Sequence, residues 1–189
     1  MTAGERPPDD GTRAARVAPG RRRDVGPLVA GLARVFGRVA GTEPPAVFLT
    51  LGRHRRLFWG WLHFAGRLMP GGRLRRRETE LVVLRVAAWT GSDYELTQHR
   101  RLGRRAGLTA EEVARAEAGT LEGWSPREHA LLAAAGELLD REDLSEEGWQ
   151  RLRASLDERE AIEAVLLVGH YRMLATALRA LRVRPDRPR

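Results

Sequence analysis

Arg76-Arg77-Glu78-Thr79-Glu80-Leu81-Val82-Val83-Leu84-Arg85-Val86-Ala87-Ala88-Trp89-Thr90 is the stretch whose reading decides the fold. From Leu81 to Trp89 it is apolar on nearly every side, with Arg85 its only charge. Such a run suits either a helix surrounded by other helices or a strand buried on both faces. Its length exceeds that of an ordinary strand, and the chain on either side carries helix signals, so the spacing predicts a central helix over 76–90. Gly91 breaks it, Ser92 starts the next helix, and Gly107 stops that one.

Outward from this centre the punctuation stays helical. Upstream, Leu28, Leu32, Val35, Phe36 and Val39 recur at helical spacing, Pro44-Pro45 opens a short helix through Leu51, and His54 to Met69 forms another that Pro70-Gly71-Gly72 ends. Downstream, three helix starts carry capping boxes, in which a short oxygen side chain and an acid three residues on satisfy free amide donors. They are Thr109 with Glu112, Ser125 with Glu128, and Asp157 with Glu160; Ser145 caps a fourth helix. The last helix, 158–181, is the longest. No hairpin signal or alternating strand occurs, so the fold class is all-α. Residues 1–25, rich in Pro, Gly and Arg, read as a disordered basic tail. Residues 26–182 read as one helical domain, and 183–189 as a short Arg/Pro tail.

Composition narrows the chemistry. The 189 residues include no Cys, no Lys and no Asn, and all 33 basic residues are Arg. Disulfides, thiolate nucleophiles, cysteine metal sites and lysine Schiff bases are excluded. The net charge of +8 would suit nucleic acid or an acidic substrate drawn in by the field. Basic and acidic positions alternate, however, which describes a solvated arginine-rich surface, and nucleic acid is not the expected partner. No apolar run of bilayer length stands out, and no h-region follows the N-terminal charges. The expected compartment is the cytoplasm, with no membrane partner.

Wound at about 100° per residue, the helix from Ser92 puts Glu95, His99, Leu102 and Ala106 on one face and its arginines on the other. An acid and an imidazole four residues apart then face the core, where their side chains can meet. A carboxylate stripped of water beside a histidine sets pKa values for proton transfer near neutrality. Glu80 lies on an apolar face of the preceding helix, and with Gly91 turning the chain it can approach that pair. Each residue has a plainer reading. Glu95 has capping-box spacing from Ser92, His99 suits a satisfied core histidine, and Glu80 can pair with Arg76 or Arg77. His170 and Tyr171, midway along the last helix, can line the same pocket. His54, His63 and His129 read as surface or boundary residues, and Ser92, Ser125 and Ser145 as caps. A metal site built on His99 and His170 has no tight ligand spacing behind it, so none is expected.

The stretch Gly72 to Arg85, then Gly91-Ser92-Asp93-Tyr94-Glu95-Leu96-Thr97-Gln98-His99, then Ala106 to Glu112, resembles the carboxymuconolactone decarboxylase and alkylhydroperoxidase-D family. Glu128 to Leu132, Gly169 to Met173 and Trp59 to Pro70 fit the same pattern, and the likeness spans roughly 45–182. In the peroxidase branch a glutamate precedes a Cys-x-x-Cys-x-x-x-His motif. Glu80 and His99 match the glutamate and the histidine, while the cysteine positions fall on Ser92 and Glu95. Serine cannot cycle through a disulfide, so peroxide reduction by that route is lost.

The form Tyr94-Glu95…His99 is similar to the decarboxylase-like branch, which works without a cofactor on a carboxylated lactone. The resemblance implies a compact domain of the alkylhydroperoxidase-D type forming trimers or hexamers, with a pocket near a subunit interface that Phe58, Trp59, Trp61 and Phe64 could seal. The expected roles are His99 as general acid or base, Glu95 as its partner, Glu80 as second proton carrier and Arg85 as the cation for a carboxylate. Tyr94, His170 and Tyr171 are the further substrate contacts, and the substrate is a small acidic organic molecule. Two rival readings use the same chain: an isomerase or dehydratase of secondary metabolism, and a non-catalytic helical binding module.

Overall fold

The computed structural model describes residues 14–188. Its helices are α1 (Arg22–Val25), α2 (Pro27–Ala40), α3 (Ala46–Leu51), α4 (Arg55–Leu68), α5 (Arg76–Thr90), α6 (Asp93–Arg105), α7 (Ala110–Ala118), α8 (Pro126–Arg141), α9 (Glu146–Ser155) and α10 (Glu158–Leu181). The only strand-like pairing among the described residues is an isolated bridge between Thr42 and Pro188.

The central place of α5 follows from its all-round apolar surface. It packs against α6, α7, α8 and α10. One side, through Val82, Val83 and Val86, joins the main core; the other, through Leu81 and Leu84, meets Leu108, Val113, Ala116 and Leu132 in a smaller one. Burying a side chain of this size contributes on the order of 1.5–3 kcal/mol, so a polar substitution at Val83 would strike the main core and one at Leu84 the smaller. Charge gathers at the start of α5, with Arg85 the one charged residue further along. Arg127 of α8 binds both Glu78 on α5 and Glu160 on α10, while Arg77 binds Glu128 and Glu112. Arginines thus tie the starts of four helices to one another, which accounts for part of the basic composition without any external partner.

Two glycines set the approach of α6 to α5. Gly91 takes the left-handed conformation (φ 64°), ends α5, and turns the chain back along it. At Gly103, a Cβ would stand 2.9 Å from Leu108 and 3.3 Å from Leu84, with the Glu80 Cβ next in line at 3.8 Å. A larger residue there would push the helices apart one turn beyond His99. The capping boxes at Thr109, Ser125 and Asp157 all form, and Ser145 caps α9.

Three expectations need correction. Of the supposed tail 1–25, residues 1–13 lie outside the described residues, but 14–25 are packed. Gly20 donates to the Leu49 carbonyl, Arg53 donates to the Ala18 carbonyl, and Val25 is buried. The C-terminal segment is also tied down. Val183 is buried, Asp186 accepts from the Ala46 amide at the start of α3 (2.7 Å), and Glu43 donates to the Arg187 carbonyl. These contacts join residues 140 positions apart, which local composition cannot reveal. Lastly, α10 is long and apolar enough by composition to cross a bilayer. Here it is a core helix, with Ala161, Leu167, Val168 and Leu174 buried against its neighbours.

The apolar surface is uneven. Phe58, expected with Trp59 and Phe64 at an outer face, is wholly buried, because it stacks edge-on between Phe48 and the tryptophans. Leu28 and Val39 on α2, Trp59 and Phe64 on α4, and Ile162, Leu166 and Met173 on α10 remain exposed.

Candidate active site

The turn at Gly91 lays α6 along α5, and the contact at Gly103 fixes its depth. His99 therefore meets Glu80: its Nδ1 lies 2.7 Å from Glu80 Oε2. Glu80 is completely buried and His99 is 7% exposed. On the other carboxylate oxygen sits Arg76, one turn earlier on α5, with Nη2 2.6 Å from Oε1 but without the alignment of a hydrogen bond. With the guanidinium beside it, Glu80 is the acceptor, so His99 Nδ1–H donates. The second ring nitrogen, Nε2, makes no hydrogen bond among the described residues. This is the arrangement by which a carboxylate fixes the tautomer and aim of an imidazole.

Glu95, one turn before His99, is 2% exposed, and neither oxygen has a hydrogen-bond partner of good geometry. Loss of water on burial holds its carboxyl up at about 7; the Ser92 hydroxyl and the charges of His99 and Arg179 offset only part of that cost. The plainer reading of Glu95 as half of a capping box does not describe it, since Ser92 makes no side-chain cap and no such box forms at α6.

Tyr171 lies edge-on to the His99 ring, centroids 5.2 Å apart. Burial, then the charges of Glu80 and Glu95, push its phenol well above the usual range, so it stays protonated. His170 continues the file of rings. It stands 5.3 Å from Tyr171, 5.4 Å from Phe64 and 6.4 Å from Trp61. Burial pushes His170 down to about 4, and its Nδ1 has no partner, so it is a neutral imidazole at pH 7. Aromatic rings thus lead from His99 out to the exposed Phe64.

Glu80, Glu95, His99, Tyr171 and His170 are therefore gathered as one neighbourhood. Two other expected contacts are not. The Tyr94 hydroxyl donates to Asp186 Oδ2 (2.8 Å) and lies 3.4 Å from the Val47 amide, so it fastens the C-terminal segment. Arg85 is five residues beyond Glu80, which turns it away. Its guanidinium lies against Gly119 at the end of α7, and the cation on Glu80 is Arg76 instead. The sequence carried that signal in the i, i+4 spacing, as the alternative partner of Glu80. Arg179, which acts on Glu95 from the far end of α10, had no local signal at all.

Comparison with known proteins agrees with this architecture. The carboxymuconolactone decarboxylase family model matches residues 55–136. An uncharacterised peroxidase-related protein with an alkylhydroperoxidase AhpD core, from Ralstonia eutropha JMP134, superposes with a TM-score of 0.78 at 19% identity, covering 91% of this chain and 94% of that one. A peroxidase-related protein from Silicibacter sp. TM1040 gives 0.78 at 15% identity, with coverages of 96% and 95%. The debrominase Bmp8 gives 0.76 at 19% identity, covering 89% of this chain and 91% of its own; a variant of it has been solved in complex with 2,3,4-tribromopyrrole. No curated protein sequence matches this chain.

Proposed function

With residues 55–136 of this chain belonging to the carboxymuconolactone decarboxylase family, we propose that the protein is a cofactor-independent proton-transfer enzyme. Its substrate is a small carboxylated organic molecule, and its reaction is decarboxylation. The observation that carries this reading is the buried 2.7 Å contact between His99 and Glu80, with a second acid, Glu95, held up at about 7 one turn away.

In the reaction, the bond between the carboxylate carbon and its neighbour breaks and carbon dioxide leaves. The electron pair passes into the adjoining unsaturated or carbonyl group. His99, protonated on both nitrogens, gives the Nε2 proton to the developing carbanion or enolate. Glu80 keeps Nδ1–H, balances the imidazolium charge, and holds the ring in place; it is a positioning residue. Glu95 is half protonated near neutrality and can return a proton to the histidine side of the site. Proton donation of this kind contributes typically 10²–10⁴-fold. The chain has no cysteine, so a route through its own thiols is closed.

The test is a panel of carboxylated lactones and keto acids, followed by NMR and by carbon dioxide release. His99→Gln should lose turnover while retaining the wild-type circular dichroism. Turnover unchanged in that variant removes the mechanism. Exchange of substrate protons in deuterium oxide without gas release would point to the isomerase reading in its place.

A further inference from the structure

Helix α2 turns its apolar stripe away from the core. Leu28, Leu32, Val35, Phe36 and Val39 recur on one face, yet the residues it buries are Val29, Ala30, Ala33 and Gly37. Leu28 and Val39 are each 74% exposed, Val35 53% and Phe36 46%, and only Leu32 of the stripe packs in part against the core. Close backbone contact holds the small side inward. A Cβ on Gly37 would stand 2.8 Å from the Glu43 carbonyl oxygen and 3.0 Å from the Pro44 Cα. A roll that covered the stripe would break this contact. We infer that α2 docks on the surface of an anionic lipid bilayer, with Leu28, Val35, Phe36 and Val39 entering the acyl boundary and Arg34 and Arg38 meeting the headgroups.

Charge singles out the same region. Residues 14–68, which form α1 to α4, hold ten arginines against two acids, Asp24 and Glu43, whereas residues 69–189 hold 21 arginines against 20 acids. The surplus behind the net charge of +8 is therefore gathered around α2, and α2 itself contains no acid. The guanidinium groups of Arg34, Arg38 and Arg55 make no hydrogen bond or ion pair among the described residues. At about 100° per residue, Arg34 and Arg38 fall along one edge of the stripe. Arg55, from the start of α4, lies against the start of α2, its guanidinium 3.2 Å from where a Cβ on Gly26 would stand.

This chemistry selects a bilayer over the other occupants. A second copy meeting α2 face to face would set arginine against arginine. A specific protein surface is met by hydrogen-bonding side chains as well as apolar ones, and α2 offers none besides its two arginines. Nucleic acid would use the arginines and leave the apolar stripe in water. Only an anionic bilayer takes both, since an interfacial helix needs an apolar face with cations at its edge and no matched shape. The expectation of no membrane partner rested on the lack of a spanning run, which such docking does not require.

The experiment is co-sedimentation of the full chain with vesicles of phosphatidylcholine alone or mixed with phosphatidylglycerol. Four proteins are compared: wild type, Leu28→Gln with Val39→Gln, Arg34→Gln with Arg38→Gln, and Ile162→Gln on α10. Every side chain changed is exposed, so each variant should fold, which circular dichroism checks. We expect wild type to pellet with the mixed vesicles and to stay in solution with phosphatidylcholine alone. Partitioning should fall about five-fold for each arginine removed and at least about ten-fold in the apolar pair, while Ile162→Gln binds as wild type. No pelleting of wild type, equal pelleting on neutral vesicles, unchanged partitioning in either double variant, or an equal loss in Ile162→Gln would each overturn the assignment. So would a light-scattering mass that drops to the monomer in the apolar pair, which gives the face to a second copy. Wild-type binding to duplex DNA that needs the arginines but not Leu28 and Val39, with no pelleting on the mixed vesicles, would give it to nucleic acid.

Discussion

Glu80 and Glu95 are both acids shut away from water on adjoining helices, yet they are treated in opposite ways. Glu80 has a histidine on one oxygen and an arginine against the other. Glu95 has no hydrogen bond on either, and its carboxyl is held up at about 7 by its dry surroundings. Burial alone therefore does not say what an acid is for. A matched carboxylate spends its charge on holding a neighbour in place, whereas an unmatched one near neutrality is free to exchange a proton. The contrast assigns geometry to Glu80 and proton supply to Glu95.

The comparison breaks most sharply at Glu80. Glu80→Ala leaves the His99 Nδ1–H without an acceptor in the interior, and we expect a loss of about 3 kcal/mol in urea unfolding together with loss of turnover. Full stability in that variant would show that the buried pair holds nothing together.

Glu95→Gln should move stability the other way, and only at high pH. The folded carboxyl sits near 7 against an ordinary 4.5, so between those values the folded protein holds a proton that the unfolded chain has lost. The native state is then favoured below pH 4.5 and loses stability as pH rises through 7. Relative to wild type, the glutamine variant should gain up to about 3 kcal/mol at pH 8 and nothing below pH 4.5. Thermal melts across that range check it; a difference that does not change with pH would mean that Glu95 is not the proton-holding partner. The comparison must be made variant against wild type, because His170, pushed down to about 4, destabilises the fold as pH falls below 6.5 and so opposes the Glu95 trend in the wild-type curve.

The smallest effect is expected at Arg76. Its side chain is 42% exposed, so Arg76→Ala should cost less than about 1 kcal/mol and lose its influence in salt. Turnover that falls as far as in Glu80→Ala would shift the positioning role from the histidine contact to the arginine.

Much of this was legible in the chain. The all-round apolar run over Leu81–Trp89 announced a central helix, three Ser/Thr/Asp-x-x-Glu boxes marked helix starts that form as read, and helical spacing turned Glu95 and His99 inward with Glu80 in reach. What escaped were contacts between parts distant in sequence. Tyr94 reads as a site residue because it precedes Glu95, but its hydroxyl is claimed by Asp186, 92 positions away. Arg85 lies near Glu80 in sequence yet points elsewhere, because five residues is nearly one and a half helical turns. Phe58 was grouped with its neighbours as a surface ring, and only the docking of α3 onto α4 shows it to be core.

The last few residues show what such distant contacts hold. Asp186 is the acceptor for the Ala46 amide, the Tyr94 phenol and the Gln98 carboxamide at once. A chain ending at Arg184 would leave those three donors without their shared acceptor. Trimming the tail to aid expression, or fusing a bulky carrier at that end, would then loosen the start of α3 and the seating of α6 together.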